Sequence, residues 1–212
     1  MIITDIQKQK HKEGRYSVFI DGEFAFGIDG VDLLWYKLEA GKEVSPELLN
    51  EITVTNAYIK AKNTALKFLG YRMRSRKEIE DRLKRDEFSP SIIEKTLSFL
   101  EEYGYIDDEA FAKAYIEEKK KLNGYGIVRL KSELYKKGID RKIIDSLTDL
   151  MTEGEEELIE TALYKKLKGE KITDRKQRQK LLGYLLRKGF GYEPSLSVIE
   201  KYEELTDEHT CE

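Results

Sequence analysis

The sequence is poor in residues that cross-link chains or bind transition metals: its 212 residues include one cysteine, Cys211, and two histidines, His11 and His209. A single cysteine excludes an internal disulfide and fits a reducing compartment. The histidines stand near opposite ends of the sequence among polar residues. Zinc sites need several cysteine or histidine ligands at short spacings. We therefore expect no metal site and two solvated histidines.

Long apolar runs are also missing. The N-terminus "MIITDIQKQKHK" has no apolar segment of signal-peptide length. No stretch approaches the ~20 apolar residues of a membrane span. We expect a cytoplasmic protein without a membrane partner.

The usual signatures of enzymes are absent as well. We find no P-loop, no set of serine, histidine and aspartate, no cysteine–histidine pair and no glycine-rich nucleotide loop. Carboxylates are abundant, so spacing alone does not exclude a hydrolase, but no pair of them stands out. We predict a protein that is not an enzyme and that needs no cofactor.

The first part of the chain has β character. Residues 14–28, "GRYSVFIDGEFAFGI", are typical of a β-hairpin, because two β-prone runs flank Asp21-Gly22, a strong signal for a type I′ turn. Residues 1–7, "MIITDIQ", are a candidate third strand. A small β segment is therefore predicted at the N-terminus.

The hairpin register predicts which side chains share a face. The turn would place Phe19 opposite Phe24 and Val18 opposite Ala25. Phe19, Phe24 and Phe26 would then lie together. We interpret this aromatic face as a small core, and a platform for stacking nucleic-acid bases is the alternative.

Helices are predicted from about residue 31 onward. Residues 31–38, "VDLLWYKL", fit a short amphipathic helix that covers the hairpin, with Trp35 and Leu38 as its anchors. Ser45 and Pro46 fit an N-cap and the first position of the next helix. Proline is scarce beyond this point and the 3.6-residue apolar period dominates, so no further strand is expected.

The helical part repeats itself. Residues 75–93, 126–144 and 177–195 align at a constant offset of 51 residues. In the middle helix of each copy, the aligned apolar residues are Ile79, Leu130 and Leu181, then Leu83, Leu134 and Leu185. In the preceding helix they are Ala61, Ala112 and Leu163, then Ala65, Ile116 and Leu167. A fixed period with three helices per unit indicates a repeat protein.

The end of each middle helix follows the same period. Gly138 and Gly189 occupy the position at which a helix needs a left-handed residue, and an apolar residue follows each of them. Glu87 stands at this position in the first copy, which predicts a different helix end there.

Two adjacent acids, Asp107 and Asp108, open the first helix of the second copy. We interpret them as the start of a helix, because an N-terminal aspartate accepts hydrogen bonds from free backbone N–H groups. A catalytic or metal-binding acid pair is the alternative, but adjacent residues at a helix start point in different directions. Ser75 and Glu78 form a capping box, and Gly126 is the equivalent cap in the second copy.

These patterns predict a mainly α fold. It consists of three tandem three-helix repeats in an elongated curved stack, preceded by a small N-terminal segment that contains a β-hairpin. The expected domain bounds are residues 1–50 for this segment and residues 51–105, 106–153 and 154–212 for the three repeats.

Charge alternates with the same period, although the net charge is only −3. The first basic block holds ten lysines and arginines against three acids, and the acidic block after it holds one lysine against eight acids. The basic blocks cover residues 60–85, 117–142 and 165–188, and the acidic blocks cover residues 86–109, 145–160 and 193–212. Stacked repeats would align the basic blocks into one stripe that suits a polyanion. Solvated helix faces with internal ion pairs are the alternative.

The stretch "YGYIDDEAFAKAYIEEKKKLNGYGIVRLKSELYKKGI", residues 103–139, resembles the signature of the RecX family, the regulators of the recombinase RecA. Residues 74–83 resemble the family's first-repeat pattern loosely, and residues 186–199 resemble its C-terminal element. Residues 15–29 are similar to the β segment that some members carry. The resemblance spans nearly the whole chain.

The resemblance implies a regulator of homologous recombination and of the SOS response. Family members bind the groove of the RecA–DNA filament and inhibit its growth, its ATPase, its strand exchange and its co-protease activity. The implied partners are the RecA filament and, weakly through phosphates, single- and double-stranded DNA, and we expect a monomer. Candidate contacts are the basic residues of the three blocks, namely Arg74, Arg76, Lys77, Arg82, Arg85, Arg129, Lys131, Lys136, Lys137, Arg175, Lys176, Arg178, Lys180, Arg187 and Lys188.

A sequence-specific transcription regulator of the helix-turn-helix type is the alternative function, because helical trios with a basic second helix also occur there. Such a protein needs a dimer and side chains that reach base edges. The middle helices here are rich in lysine and arginine, which suit phosphates better than bases.

Overall fold

The computed structural model describes residues 1–10 and 13–208. His11, His209 and Cys211 lie outside the described residues. The described part of the chain forms one antiparallel sheet with strand order β1-β2-β3, followed by helices. The strands are β1 (Ile3–Lys8), β2 (Arg15–Ile20) and β3 (Glu23–Asp29).

The helices begin directly after the sheet. The first two are α1 (Gly30–Trp35) and α2 (Pro46–Leu69), and α2 starts as predicted, with the Ser45 hydroxyl accepting a hydrogen bond from the N–H of Leu48. The next are α3 (Arg76–Arg85), α4 (Pro90–Glu102), α5 (Asp108–Asn123) and α6 (Ile127–Lys136). The last are α7 (Arg141–Ser146), α8 (Thr148–Thr152), α9 (Glu155–Leu167), α10 (Arg175–Lys188) and α11 (Tyr192–Glu208).

The chain divides into two compact units. One contains residues 1–71 and 82–99, and the other contains residues 72–81 and 100–212. In the first unit, the sheet and the start of α2 share a core that includes Ile3, Val18, Ile28 and Ile52. In the second unit, one core forms among α5 to α8 and another among α9 to α11. The helical part of the fold is thus divided among several small cores, as expected for repeats.

The hairpin turn is confirmed, but the predicted register beyond it is wrong. Asp21 and Gly22 both have positive φ, as a type I′ turn requires, and Phe19 faces Phe24 with ring centroids 5.9 Å apart. The register then shifts, so that Val18 pairs with Phe26 instead of Ala25. The bulge moves Phe26 to the buried face while Phe24 stays 60% exposed.

The predicted cover of the hairpin is half correct. Leu38 is buried, whereas Trp35 is 80% exposed. Leu33 and Tyr36, three residues apart, pack against the core of the first unit. Helix α1 has only six residues, so one of its sides can face the core. Leu33 lies on that side, and Trp35 points away from the core.

The repeat register is confirmed by burial. Every apolar residue that the 51-residue offset aligns in the first and middle helices is buried. The middle helices are α3, α6 and α10, and the third helix of the second copy is divided into α7 and α8. Among the described residues beyond position 45 there is no strand. The three trios therefore use equivalent positions for their cores.

All three middle helices end in the same way. The N–H groups of Phe88, Ile139 and Phe190 donate to the carbonyl oxygens of Leu83, Leu134 and Leu185, five residues earlier. Gly138 and Gly189 have φ of 78° and 91°, and Glu87 has φ of 60°. The prediction of a different end in the first copy is therefore wrong, because Glu87 adopts the left-handed conformation that glycine adopts more easily.

The acid pair begins a helix, as predicted. The Asp107 carboxylate accepts a hydrogen bond of 2.9 Å from the N–H of Ala110 and caps α5. Asp108 has a second role, since its carboxylate accepts the backbone N–H of Arg76 at 2.8 Å, at the first residue of α3. Burial raises the pKa of Asp108, although the bond from Arg76 opposes this shift. The two carboxylates thus serve two different helices.

Candidate interface along the middle helices

The N-terminus of α3 meets the C-terminus of α6, and we call this contact the first junction. The Ser75 hydroxyl donates 2.7 Å to the carbonyl oxygen of Lys137. The predicted capping box is also present, since Ser75 and Glu78 bond each other's backbone N–H. The carbons of the Lys77 side chain lie so close to Gly138 that a β-carbon there would come within 2.6 Å of them. The positive end of one helix dipole therefore faces the negative end of another.

A carboxylate neutralises the cations at the first junction. Glu78 bonds Lys137 at 2.9 Å and Arg72 at 3.0 Å. Lys137 also lies 5.1 Å from the ring centroid of Tyr115. Burial alone would raise the pKa of Glu78, but the hydrogen bonds and charges of Arg72 and Lys137 hold it at about 2. The first junction is thus a closed ion-pair network with an aromatic wall.

The Glu78→Gln variant should lose stability in a pH-dependent way. At neutral pH we expect a loss of about 1–2 kcal/mol, the value of a charge-assisted hydrogen bond reduced by partial exposure. The folded pKa of about 2 lies below the ordinary 4.5, so the carboxylate stabilises fully above pH 4.5 and this contribution fades as the pH falls toward 2. Urea unfolding between pH 7 and pH 2 measures both stabilities.

The matched control is Glu102→Gln, since Glu102 is exposed and forms no ion pair with any residue that the structure describes. This change should leave the stability curve unaltered. A constant difference between wild type and Glu78→Gln from pH 5 to pH 2 would contradict the role assigned to Glu78.

The second junction joins the N-terminus of α6 to the C-terminus of α10. The N–H of Gly126 donates 3.1 Å to the carbonyl of Lys188, and the N–H of Val128 donates 2.9 Å to that of Gly189. A β-carbon on Gly126 would lie 2.4 Å from the backbone of Gly189 and Phe190. Gly126 is therefore not only a helix cap, as predicted, but also the place where two backbones touch.

The two junctions carry different charges at equivalent positions. The 51-residue offset relates Lys137 to Lys188 and Glu78 to Arg129. The guanidinium of Arg129 stacks over Tyr125, 3.8 Å from its ring centroid. Lys188 donates 3.1 Å to the carbonyl of Asn123. Burial, Lys165 and Arg129 together lower the pKa of Lys188, so the second junction gathers cations where the first has an ion pair.

Several predicted contact residues are partly neutralised inside the protein. Arg76 pairs with Glu101, Arg82 with Asp86, Lys131 with Asp145, Lys136 with Glu133, Lys137 with Glu78, and Arg178 with Glu200 and Glu203. These pairs are mostly exposed and contribute little stability each. The alternative of solvated faces with internal ion pairs therefore describes part of the basic blocks.

The other predicted residues are arranged differently. Those that form no ion pair within the described part of the chain are Lys77, Arg129, Arg175, Lys176, Lys180, Arg187 and Lys188. Arg85 lies exposed at the end of α3, and Arg74 is half-buried before its start, where burial lowers its pKa. The structure brings Arg129 and Lys188 together at the second junction and places Lys77 at the first.

Sequence reasoning missed residues that complete these junctions. Arg72 and Tyr115 line a cavity of about 390 Å³ beside Lys137, and burial raises the pKa of Tyr115 to about 12. Lys165 and Tyr184 line a cavity of about 190 Å³ beside Lys188. Lys165 lies in the third basic block, which is the one signal that could have identified it.

In residues 1–10 and 13–204, no three His, Cys, Asp or Glu side chains are grouped so as to hold a metal ion. No helix in that part of the chain combines the length and apolarity needed to cross a membrane.

Solved structures share this fold. A crystal structure of regulatory protein RecX has a TM-score of 0.69 at 27% identity, covering 94% of this chain and 98% of that one. The crystal structure of RecX from Lactobacillus salivarius has a TM-score of 0.62 at 28% identity, covering 71% of this chain and 99% of that one. The fold of this chain is thus similar to that of both crystal structures.

Sequence relatives agree with the structural ones. A protein named Regulatory protein RecX from Bacillus subtilis (strain 168) is 36% identical over 210 residues, which cover 98% of this chain and 80% of the relative. Its namesake from Clostridium acetobutylicum is 34% identical over 205 residues, covering 94% of this chain and 95% of that one.

Family models match most of the chain. The one for the Regulatory protein RecX N-terminal domain matches residues 1–45. Those for the first, second and third three-helix domains of RecX match residues 61–100, 107–146 and 154–194. The chain therefore belongs to the RecX family of regulatory proteins.

Proposed function

We propose that this protein regulates homologous recombination and the SOS response by binding in the groove of the RecA–DNA filament. It inhibits filament growth, ATPase, strand exchange and co-protease activity, and it does so without being an enzyme itself. Membership of the RecX family supports this proposal. The observation that carries it in the structure is the head-to-tail contact of the middle helices at the two junctions, which places basic residues of successive helices close together.

The mechanism is occupancy of the groove. Exposed cations such as Lys176, Lys180 and Arg187 form no ion pair with the part of the chain that the structure describes, so they are available to DNA phosphates. Exposed acids of the acidic blocks that form no ion pair within the described residues, such as Glu102 and Glu153, are available to basic surfaces of the recombinase. Three modules in one chain can span more than one protomer, which would block extension and the conformational change that ATP turnover needs.

The partners of this protein are the RecA filament and DNA. The protein acts as a monomer in the cytoplasm, where RecA and DNA are found. Its binding to single- or double-stranded DNA alone is weak and directed to phosphates, since lysine and arginine dominate the middle helices. Binding to the filament adds protein contacts to these phosphate contacts.

The test is the ATPase of RecA on single-stranded DNA while this protein is added below stoichiometric amounts. We expect a sharp fall, because one inhibitor bound in the groove affects several protomers. A flat response up to equimolar protein would contradict the proposal. Binding to unrelated duplexes, measured with and without the filament, is the control: a preference for one duplex in the absence of RecA would favour a transcription regulator.

A further inference from the structure

The charged residues that line the cavity at the second junction are all lysines. It measures about 190 Å³ and lies among α5, α9 and α10, with Lys121, Lys165, Lys188 and the ring of Tyr184 in its wall. Lys120 also lines it, but its ammonium group already donates to the carbonyls of Leu150 and Glu153. The remaining lysines face an opening that no carboxylate lines.

These cations have no internal counterion. Arg129, Lys165 and Lys188 form no ion pair with any residue in 1–10 or 13–204, whose side chains the structure describes. The carbonyl of Asn123 and the rings of Tyr125 and Tyr184 are their polar and aromatic neighbours. Gathering like charges in a partly desolvated site costs free energy unless an anion joins them.

At the first junction, the cations are neutralised by a carboxylate of the protein itself. There the Glu78 carboxylate lies between Arg72 and Lys137. At the second junction the residue equivalent to Glu78 is Arg129, while the lysine is kept as Lys188. The second junction is therefore a copy of the first in which the internal anion has been replaced by another cation.

We propose that the cavity at the second junction binds one backbone phosphate of a nucleic acid, held by Lys165 and Lys188 with Arg129 nearby. This proposal rests on the proposed function and specifies one contact point within it. The cavity is smaller than the roughly 300 Å³ at which ligand pockets begin, so it suits a single phosphate rather than a base. The bound phosphate joins Lys165 of α9 to Lys188 of α10, as the Glu78 carboxylate joins Arg72 to Lys137 at the first junction.

The test compares two double variants in binding to a fluorescent single-stranded oligonucleotide, without RecA, across a salt series. Lys165→Gln with Lys188→Gln should weaken binding at least about tenfold, because the charge-assisted hydrogen bonds of both lysines to the phosphate are lost. The salt slope should become shallower by about 0.7, the value for one phosphate contact on a single strand. Lys8→Gln with Lys10→Gln, which removes two charges far from the cavity in sequence, should leave both unchanged. Lys165→Arg with Lys188→Arg should restore binding, and circular dichroism checks that each variant is folded.

A thermal-shift assay with inorganic phosphate tests whether a free anion also binds the cavity, and the oligonucleotide result decides the proposal. Unchanged oligonucleotide binding in the Lys165→Gln, Lys188→Gln variant overturns the proposal, whether or not phosphate stabilises the wild type in a thermal-shift assay. Equal losses in the two double variants also overturn it, because net charge would then explain the result. RecA ATPase inhibition is measured in parallel: if the wild type does not inhibit while the oligonucleotide result holds, the function fails and the phosphate site stands.

Discussion

The Gly189→Ala variant should lose about 2–5 kcal/mol of stability, a large part of the total for a small domain. Two costs add up at this position. Gly189 has φ of 91°, a conformation that costs alanine about 1–2 kcal/mol. A β-carbon there would also lie 2.2 Å from the β-carbon of Arg129 and 2.5 Å from its backbone nitrogen, so α6 and α10 would have to move apart.

Gly169→Ala is the matched control for this change. Gly169 has φ of 84°, but a β-carbon there would meet no atom within 4 Å. The control should therefore show only the conformational cost of about 1–2 kcal/mol. Urea unfolding of both variants measures the difference. Equal losses of stability in the two variants would show that α6 and α10 are not in close contact at Gly189.

Reversing three charges on α10 should raise the concentration needed for half-inhibition of RecA ATPase at least roughly tenfold. The variant combines Lys176→Glu, Lys180→Glu and Arg187→Glu. The spacings of four and eleven residues place these exposed side chains on one side of the helix. If each contacts one phosphate, the salt slope of single-strand binding should become shallower by about 2. Helicity should stay unchanged, because none of the three side chains is buried.

The matched control reverses three lysines of the N-terminal segment, Lys8, Lys10 and Lys37, which are also exposed. It changes the net charge by the same amount outside the basic blocks. Inhibition should survive in this control. A variant of α10 that inhibits as well as the wild type, or a control that loses as much as the variant does, would refute a directed basic surface and leave only net charge.

Much of the helical architecture could be predicted because it is encoded locally. The buried residues Ile79, Leu130 and Leu181 recur every 51 residues, and the glycines Gly138 and Gly189 end their helices as the pattern indicates. Contacts between neighbouring helices are harder to predict from the sequence, because they depend on which backbone segments lie close together in the fold. Nothing in the sequence near Gly126 indicates that it touches Gly189.

The errors have physical causes of the same kind. A bulge at the pairing of Val18 and Phe26 cannot be anticipated from alternation, since one unpaired residue reverses the faces. Trp35 was expected to anchor an amphipathic helix on the hairpin, yet the geometry of a six-residue helix decides which side points inward. Glu87 predicted a different helix end, yet it adopts the left-handed conformation with φ of 60° and the helix ends as the other two do.

The candidate interface was predictable in composition but not in arrangement. The charge blocks identified the segments that contain Arg129, Lys165 and Lys188. Which cations are neutralised depends on residues distant in sequence, as in the bond of Arg178 to Glu200. The 51-residue offset alone shows that Glu78 and Arg129 are equivalent and opposite in charge. Only the structure shows that both lie where two middle helices meet.

The position of Asp108 has a consequence for how the chain folds during synthesis. Its carboxylate accepts the first N–H of α3, which lies 32 residues earlier in the chain. A nascent chain that has not yet exposed Asp108 lacks this acceptor, so the start of α3 and the start of α5 should become protected from hydrogen exchange in one cooperative step. Asp107 caps α5 and Asp108 caps α3, so these two adjacent residues couple the formation of the two helices.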